Sequence, residues 1–220
     1  MLPNPPRPRR GQVIALIGAE STGKTQLARE LRDALACQGR SVGLVEEFLR
    51  EFCDQAGRTP RRDEQLAIAA EQTSRIDQAA GEHELVIADT TALMIAVYSD
   101  LLFQDPTLFP MALQEQERCA LSLLTALDLP WRADAGQRDG EHVREPVDAS
   151  VRGAMAQAGL PFSVVYGSGP SRLTHALISV RKALALDPEP LADPAAGRHQ
   201  WHSFCERCGD PDCERHSLAR

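Results

Sequence analysis

Eight residues near the amino terminus, at positions 18–25, constrain the fold more than any other part of the chain. Residues 13–17 before them are all apolar, and leucines recur at four-residue spacing after them, at positions 27, 31 and 35. This order predicts a buried strand, a tight turn and an amphipathic helix. The backbone N–H groups of such a turn, together with the helix N-terminus, bind phosphate. The sequence therefore predicts a P-loop.

The phosphate-binding segment reads Gly-Ala-Glu-Ser-Thr-Gly-Lys-Thr, and its residue types match the requirements of nucleotide binding. Lys24 is expected to reach the β- and γ-phosphates of ATP, and the hydroxyl of Thr25 is expected to bind Mg²⁺. Asp89 ends the apolar run 85–88 and is the expected acidic partner of that ion, directly or through water. Helix N-capping is the structural alternative for Asp89, and the two roles are compatible. The residues predicted to bind the nucleotide are Gly18, Ala19, Glu20, Ser21, Thr22, Gly23, Lys24 and Thr25.

Apolar runs and helical periodicity alternate along the chain, which is typical of a parallel sheet covered by helices on both faces. We therefore predict an α/β fold, with a parallel sheet of the P-loop NTPase or nucleoside-kinase type sandwiched by helices. The predicted strands are residues 13–17, 42–45, 85–88, 121–127 and 162–166. The predicted helices begin after Lys24 and also cover residues 62–80, 93–102, 109–119, 147–158 and 171–185. Residues 128–145 have no hydrophobic periodicity and are expected to form a mobile lid.

Composition divides the chain into three segments. Residues 1–10 are rich in proline and arginine and are expected to be a disordered leader, whereas residues 11–186 are expected to form the P-loop kinase domain. Proline, alanine and glycine then mark a linker into a cysteine-rich tail, and we assign residues 187–220 to this linker and to a small zinc-knuckle-like tail. A chain of 220 residues has room for one domain of average size with such an appendage.

Charge and hydropathy exclude several classes of protein. The formal net charge of −7 argues against nucleic-acid binding, which requires a basic surface. No apolar run approaches the roughly 20 residues that span a bilayer, and the charged amino terminus lacks the apolar segment of a secretory signal. We therefore predict a cytoplasmic protein that acts on a small molecule and binds neither nucleic acid nor membrane. Association between identical chains is left open.

A P-loop is shared by switch proteins, motors and kinases, so further signals are needed to separate these classes. No Asn-Lys-x-Asp guanine signature follows any predicted strand, which disfavours a GTPase. The length of the chain fits an ATP-dependent small-molecule kinase best. A regulatory P-loop ATPase that signals to a partner is the alternative.

Two glutamates follow the second predicted strand, at the same edge of the sheet as the P-loop. A phosphoryl acceptor needs a base at that edge, so Glu46 and Glu47 are candidate substrate-binding residues. Glu47 is preferred as the base because Arg50, a third candidate, lies three residues later and can share its helical face. The structural alternative is a charge pair at a helix N-terminus.

The polar segment after the fourth predicted strand contains Trp131, Arg132 and Arg138. A tryptophan in such a segment is either an anchor for the lid or a platform for a ligand. The two arginines either fold onto the phosphates or lie in solvent. We predict that Trp131 binds substrate and that Arg138 acts in catalysis.

In their order along the chain, these motifs resemble the ribosylnicotinamide kinase domain of the NadR family of bacterial NAD-metabolism proteins. The resemblance extends from about position 11 to position 186. It rests on the P-loop, residues 47–52, Asp89-Thr90, Pro130-Trp131 with Asp134, Gly136 and Arg138, and Arg172 after Tyr166-Gly167. The resemblance implies ATP-dependent phosphorylation of the 5′-hydroxyl of nicotinamide riboside, giving nicotinamide mononucleotide. It also implies substrate binding by Asp134 and nucleotide binding by Arg172.

The chain departs from the family pattern in two places. Thr91 stands where family members often have a second acid, and the segment from Trp131 to Arg138 is one residue longer. A kinase of another nucleoside or small alcohol is therefore the alternative for the substrate. Neither the adenylyltransferase module nor the helix-turn-helix often joined to this kinase is expected.

The tail contains three cysteines and a histidine with the spacing of one compact tetrahedral zinc site. The predicted zinc ligands are Cys205, Cys208, Cys213 and His216. Histidines at positions 199 and 202 compete for the fourth place. A closed site of this kind is structural, and its metal would order a tail that is poor in large apolar residues. The alternative is a flexible tail in which the cysteines are incidental.

Overall fold

A computed structural model describes residues 10–131 and 141–186 of the chain. Its strands are β1 (Gln12–Ile17), β2 (Val42–Val45), β3 (Leu85–Asp89), β4 (Leu121–Thr125) and β5 (Ser163–Val165). They form one parallel sheet in the order β2-β3-β1-β4-β5, so the first strand lies at the centre. The predicted α/β class and the parallel sheet are confirmed.

Helices connect the strands, because parallel neighbours require a crossover. They are α1 (Lys24–Ala36), α2 (Phe48–Ala56), α3 (Gln65–Glu82), α4 (Ala92–Phe103), α5 (Phe109–Glu117), α6 (Arg144–Gln157) and α7 (Gly169–Ala183). Short 3₁₀ turns at Arg62–Glu64, Pro106–Leu108 and Glu141–Val143 lead into α3, α5 and α6. None of the described helices is both long enough and apolar enough to cross a bilayer.

Both faces of the sheet are buried, which explains why its central strands are apolar almost throughout. All residues of β3, and all of β1 except the first, are buried. Side chains alternate between the two faces of a strand. Ile14 and Leu16 accordingly pack against α1 and α7, whereas Ile17 packs against α4 and α6 on the opposite face.

Helix α1 begins immediately after the P-loop and buries one stripe of its surface. The residues on this stripe are Leu27, Ala28, Leu31 and Leu35. The predicted leucine spacing therefore marks the face of α1 that packs on the sheet. This packing fixes the position of the P-loop relative to β1.

The structure corrects the prediction between β4 and α6. Strand β4 ends at Thr125 and not at 127, because the pairing with β5 closes at the hydrogen bond from Ala126 N–H to Val165 O, 3.0 Å. The end of the predicted lid is also wrong, since a 3₁₀ turn begins at Glu141 and α6 begins at Arg144. Arg144 is buried, and hydrophobic periodicity does not report the burial of a charged side chain.

Two further differences concern the ends of β2 and β3. The bounds of helix α2 were not predicted, although a helical face shared by Glu47 and Arg50 was; its Phe48 and Phe52 pack against a small apolar cluster. The N-cap alternative for Asp89 is wrong, because Asp89 is the last residue of β3 and Thr91 is the N-cap of α4. The carboxylate of Asp89 therefore lies at the sheet edge and does not cap a helix.

Truncation of Leu31 should destabilise the fold strongly, because this side chain is fully buried in the cluster between the sheet, α1 and α7. Leu31→Ala is expected to lower the free energy of unfolding by about 2–5 kcal/mol through lost transfer energy and the cavity left behind. Leu66→Ala is the control, since Leu66 is 59% exposed and its truncation should change stability by less than about 0.5 kcal/mol. Urea unfolding followed by circular dichroism measures both, and equal effects would contradict this packing.

Candidate functional site

The loops after β1, β2 and β3 meet at the carboxyl edge of the sheet, where open α/β sheets bind ligands. The P-loop follows β1, which lies between β3 and β4. Glu46 and Glu47 follow β2, and Asp89 ends β3. The topology therefore brings the predicted nucleotide residues and the predicted acceptor residues to one edge.

The P-loop approaches β4 closely because its backbone adopts conformations with positive φ. Gly18 has a φ of +134°, Ser21 of +54° and Gly23 of +75°. A Cβ atom on Gly18 would lie 2.5 Å from Thr125 Oγ1, so a larger residue would displace the strand. The predicted tight conformation of this loop is confirmed.

Two buried threonine hydroxyls tie the P-loop to the neighbouring strand. Thr22 Oγ1 lies 2.7 Å from Ala19 O and 2.7 Å from Thr125 Oγ1. Thr125 Oγ1 in turn lies 3.2 Å from Ile17 O. Since both hydroxyls are shielded from water, these bonds satisfy groups that would otherwise be costly to bury. The side chain of Thr22 therefore shapes the loop and is not directed at a ligand.

Arg172, on α7, braces the same loop from the protein interior. Its Nη2 donates to Thr22 O at 2.6 Å, and its Nη1 donates to Gly167 O at 2.8 Å and to Asp128 Oδ1 at 3.2 Å. The guanidinium is 5% exposed, and the carboxylate of Asp128 compensates its charge. The family resemblance assigned Arg172 to the nucleotide. In the structure this side chain contacts the backbone of the loop.

Lys24 is the first residue of α1 and reaches back across the P-loop. Its Nζ donates to Ala19 O at 2.7 Å. The ammonium group is thereby held within the loop at the positive end of the α1 dipole. This arrangement concentrates positive charge where a phosphate would bind.

Thr25 and Asp89 are in contact, as a shared magnesium site requires. The Thr25 hydroxyl lies near the Asp89 carboxylate, close enough to lower its pKa. Burial raises the pKa of Asp89 above its ordinary value, the Thr25 hydroxyl opposes this increase, and the charge of Glu47 adds to it. Asp89 is 1% exposed, and among the described residues its Oδ1 has no hydrogen-bond partner.

A buried carboxylate oxygen without a hydrogen bond, beside a threonine hydroxyl, fits the hard oxygen ligands that Mg²⁺ prefers. Magnesium at nucleotide sites uses one or two protein ligands, and phosphates and waters complete its coordination. Within residues 10–131 and 141–186, no group of three or more His, Cys, Asp or Glu side chains could hold a metal on its own. The donor set at Thr25 and Asp89 therefore suits a metal that arrives with a nucleotide.

Glu46 and Glu47 occupy different environments. Glu47 is the N-cap residue of α2, but its side chain makes no capping hydrogen bond and instead accepts from Arg50 Nη2 at 3.1 Å. Its side chain is 18% exposed. Glu46 accepts from Arg29 Nη2 at 2.7 Å and is 62% exposed. The spacing predicted that Glu47 and Arg50 share a helical face, and in the structure they form an ion pair.

An open cleft of about 800 Å³ extends from Thr25 and Asp89 along the outer strand β2. Its walls come from α1, β2, α2 and α3. Six carboxylates and three guanidinium groups line it, together with His83. The acids are Glu46, Glu47, Glu51, Asp54, Glu82 and Asp89, and the arginines are Arg29, Arg50 and Arg75. The lining therefore has an excess of negative charge.

Trp131 lies at the end of a described segment and is not among the residues that line this cleft. Its indole Nε1 is buried and has no hydrogen-bond partner in the described part of the chain. The structure does not bring Trp131 together with the acids of the cleft. Its predicted role as a substrate platform stays a prediction.

Arg144 is a candidate residue that the sequence reasoning missed. Its side chain is 5% exposed, its Nη2 donates to Leu129 O at 2.9 Å, and its Nε has no hydrogen-bond partner among the described residues. Leu129 Cδ1 lies only 3.1 Å from the position that a Cβ on Gly23 would take, so this arginine is connected to the P-loop. The sequence signal that could have identified Arg144 is an arginine at the start of a helix that follows the polar segment.

Several predicted residues lie outside the described residues. They are Arg132, Asp134 and Arg138 of the polar segment, and Cys205, Cys208, Cys213 and His216 of the tail. The predicted zinc site and the predicted catalytic arginine therefore stay predictions. The leader was predicted over residues 1–10; residues 1–9 lie outside the described residues, and Arg10 pairs with Asp77.

Loss of the Arg172 side chain should destabilise the protein, because Thr22 O would lose its buried donor and Asp128 its cation. Arg172→Met is expected to lower the free energy of unfolding by about 1–3 kcal/mol. Lys182→Met, on the exposed surface of the same helix, is the control and should have little effect. Denaturant unfolding of both variants measures this. If Arg172→Met were as stable as Lys182→Met, the contacts of Arg172 would contribute nothing to stability.

Solved structures of similar fold include a NadR protein in complex with NR and a NadR protein in complex with NAD and AMP-PNP. Both are 21% identical to this chain, with TM-scores of 0.69 and 0.66. Each match covers 83% of this chain but only 53% and 52% of the NadR chains, so this chain spans about half their length. At 21% identity, this similarity establishes the fold. The resemblance to the NadR family that the motifs indicated is therefore confirmed for the fold.

A thymidylate kinase from Ehrlichia chaffeensis has a related fold, with 14% identity and a TM-score of 0.56. That match covers 80% of this chain and 99% of the thymidylate kinase. Among curated proteins, no sequence matches this chain. A family model described as an AAA domain, AAA_28, matches residues 13–172, and the chain belongs to this family.

Proposed function

We propose that this chain is an ATP-dependent kinase that phosphorylates the 5′-hydroxyl of nicotinamide riboside to give nicotinamide mononucleotide. The observation that carries this proposal is the acidic cleft, which opens beside the P-loop at Thr25 and Asp89. A phosphate bound to the loop and an acceptor bound in the cleft would meet at these two residues. The similarity to NadR structures with NR and with AMP-PNP supports this choice of ligands.

At the nucleotide end, residues 18–25 are proposed to bind the phosphates through their backbone N–H groups. Lys24 would stabilise charge on the transferred group. Thr25 and Asp89 would hold Mg²⁺, which when bound neutralises charge on the phosphate oxygens. Arg172 contributes indirectly, by bracing the loop at Thr22.

Two arginines are proposed to assist phosphoryl transfer, one directly and one indirectly. Arg138 is the one predicted from the sequence, and Arg144 adds a second, buried guanidinium that is linked to the loop through Leu129. Arginines stabilise the charge that develops on the transferred group. In this proposal Arg138 contacts the phosphate and Arg144 orients the segment that carries it.

At the acceptor end, Glu47 is proposed as the general base. Its carboxylate accepts the proton of the 5′-hydroxyl as the hydroxyl oxygen bonds to phosphorus and the bond from phosphorus to the departing ADP oxygen breaks. The pairing with Arg50 and the low exposure of Glu47 hold this carboxylate in place. Glu46 is more exposed and is proposed to bind substrate without taking the proton.

The charge of the cleft favours a cationic acceptor. Six carboxylates face three guanidinium groups, so the lining attracts cations and repels anions. The nicotinamide ring of the riboside is a pyridinium cation, whereas a nucleoside monophosphate is an anion. Trp131 and Asp134 are kept as proposed substrate contacts, Trp131 through its aromatic face; because Trp131 is not part of the lining of this cleft, the preference for a cation rests on the charge of the cleft.

The assignment is tested by measuring ADP release from ATP and Mg²⁺ with a panel of acceptors. Nicotinamide riboside should stimulate release and yield its 5′-monophosphate, and its neutral dihydropyridine analogue and thymidylate should be poorer acceptors. Lys24→Ala should lower transfer by about 10²-fold or more, because it removes the cation that follows the migrating charge. Lys182→Ala, which changes the only other lysine of the chain, is the control.

Two outcomes of this assay would select the alternatives. Stimulation by a neutral nucleoside or small alcohol but not by nicotinamide riboside would identify a kinase of a different acceptor. Slow ADP release that no acceptor changes would identify a regulatory ATPase.

Variants of Glu46 and Glu47 test which of the two glutamates is the general base. Glu47→Gln should lower kcat about 10²- to 10⁴-fold, the usual loss on removal of a general base. Glu46→Gln should have a much smaller effect, because Glu46 is largely exposed. Steady-state kinetics with nicotinamide riboside measures both variants, and the reverse order would assign the base to Glu46.

A further inference from the structure

We infer that Gln72, on α3, is a positioning residue that sets the place of the Glu47 carboxylate relative to Asp89. This inference rests on the proposed function, in which Glu47 acts as the base. The side chain of Gln72 is fully buried. It lies between the two loops that carry the carboxylates, and it bonds to the backbone of both.

Three hydrogen bonds connect Gln72 to these loops. The N–H of Phe48 donates to its Oε1 at 2.7 Å. Its Nε2 donates to Glu46 O at 3.4 Å and to Thr90 O at 3.3 Å. The residues before and after Glu47, and the residue after Asp89, are therefore held by one amide group.

The bond to Phe48 fixes the backbone immediately after Glu47. Phe48 is the first residue of α2, and N–H groups in the first turn of a helix lack partners within the helix. Gln72 satisfies the Phe48 N–H from outside the helix, and so holds the first turn of α2 against α3. The side chain of Glu47 makes no capping bond and pairs with Arg50 in the cleft.

The bond to Thr90 secures a strained part of the backbone. Thr90 has a φ of +72°, which is rare for a β-branched residue. Such conformations persist only where the surroundings fix them, and they occur often at functional sites. Thr90 N–H donates to Leu16 O at 3.1 Å, and Thr90 O accepts from Gln72. The peptide that follows Asp89 is thus fixed on both sides.

If Gln72 only stabilised the fold, its loss would have a different effect on activity. Its loss would lower the folded fraction and would reduce every activity of the protein to the same extent. Loss of a positioning residue changes the geometry of the reacting groups, and a displacement of about 1 Å can cost about 10²-fold in rate. The ratio of acceptor phosphorylation to acceptor-free ATP hydrolysis separates the two cases.

The test is a double-mutant cycle between Gln72→Met and Glu47→Gln in the full chain. Phosphorylation is measured with ATP, Mg²⁺ and nicotinamide riboside, and hydrolysis is measured with ATP and Mg²⁺ alone. Gln72→Met should lower the ratio of phosphorylation to hydrolysis about 10- to 100-fold. In the Glu47→Gln background the same change should lower this ratio less than about threefold, because Gln72 acts through Glu47.

Gln65→Met is the matched control. Gln65 lies on the same helix and is also buried, but its Nε2 donates to Arg61 O, at 3.4 Å, and not to either loop of the site. This variant should leave the ratio unchanged. Gln72→Asn, which keeps an amide but is one methylene shorter, is measured in the same way if Gln72→Met does not fold.

The outcomes distinguish this inference from the proposed function. A wild-type protein that phosphorylates nicotinamide riboside, with an unchanged ratio in Gln72→Met, would overturn the role of Gln72 alone. Equal losses in the two backgrounds would overturn it as well, since Gln72 would then act independently of Glu47. A wild-type protein that phosphorylates no acceptor would overturn both.

Discussion

The attachment of the P-loop to β4 and α7 is the interaction on which the rest of the site depends. Gly18 allows contact with Thr125, and the Thr22 hydroxyl and carbonyl are bound by Thr125 and Arg172. These bonds order the loop before a ligand arrives, so less conformational entropy is lost on binding. They also fix the start of α1, and therefore the position of Thr25 beside Asp89.

Electrostatics at the carboxyl edge of the sheet is the second constraint. Glu47 and Asp89 are close enough for the charge of Glu47 to raise the pKa of Asp89. Two neighbouring carboxylates are costly unless cations balance them. Arg50 partly balances Glu47, and the geometry at Thr25 suits a cation beside Asp89. The buried amide of Gln72 bonds to the backbone of both loops. These bonds constrain the distance between the carboxylates of Glu47 and Asp89.

Much of the fold and part of the site were predictable from local patterns. The central strand, the P-loop, the buried stripe of α1 and the strand that ends at Asp89 follow from apolar runs and helical spacing. The helical face shared by Glu47 and Arg50 follows from a separation of three residues. The burial of Arg144 was missed, because hydrophobic periodicity does not report a buried charged side chain and tertiary packing decides its place. The bounds of α2 were not assigned, although apolar residues recur at helical spacing at positions 48, 49, 52 and 53.

The sequence by itself determined the order of the elements and the set of reactive side chains at their ends, since hydrophobic periodicity and chain order are local properties. Only the tertiary structure decided which of these side chains meet. Thr22 and Thr125 are 103 residues apart in sequence, and Thr22 and Arg172 are 150 apart. The tertiary structure also places Arg172 against the backbone of the P-loop and leaves Trp131 outside the lining of the acidic cleft. Contacts over such separations depend on how helices pack on the sheet, and no local pattern encodes that packing.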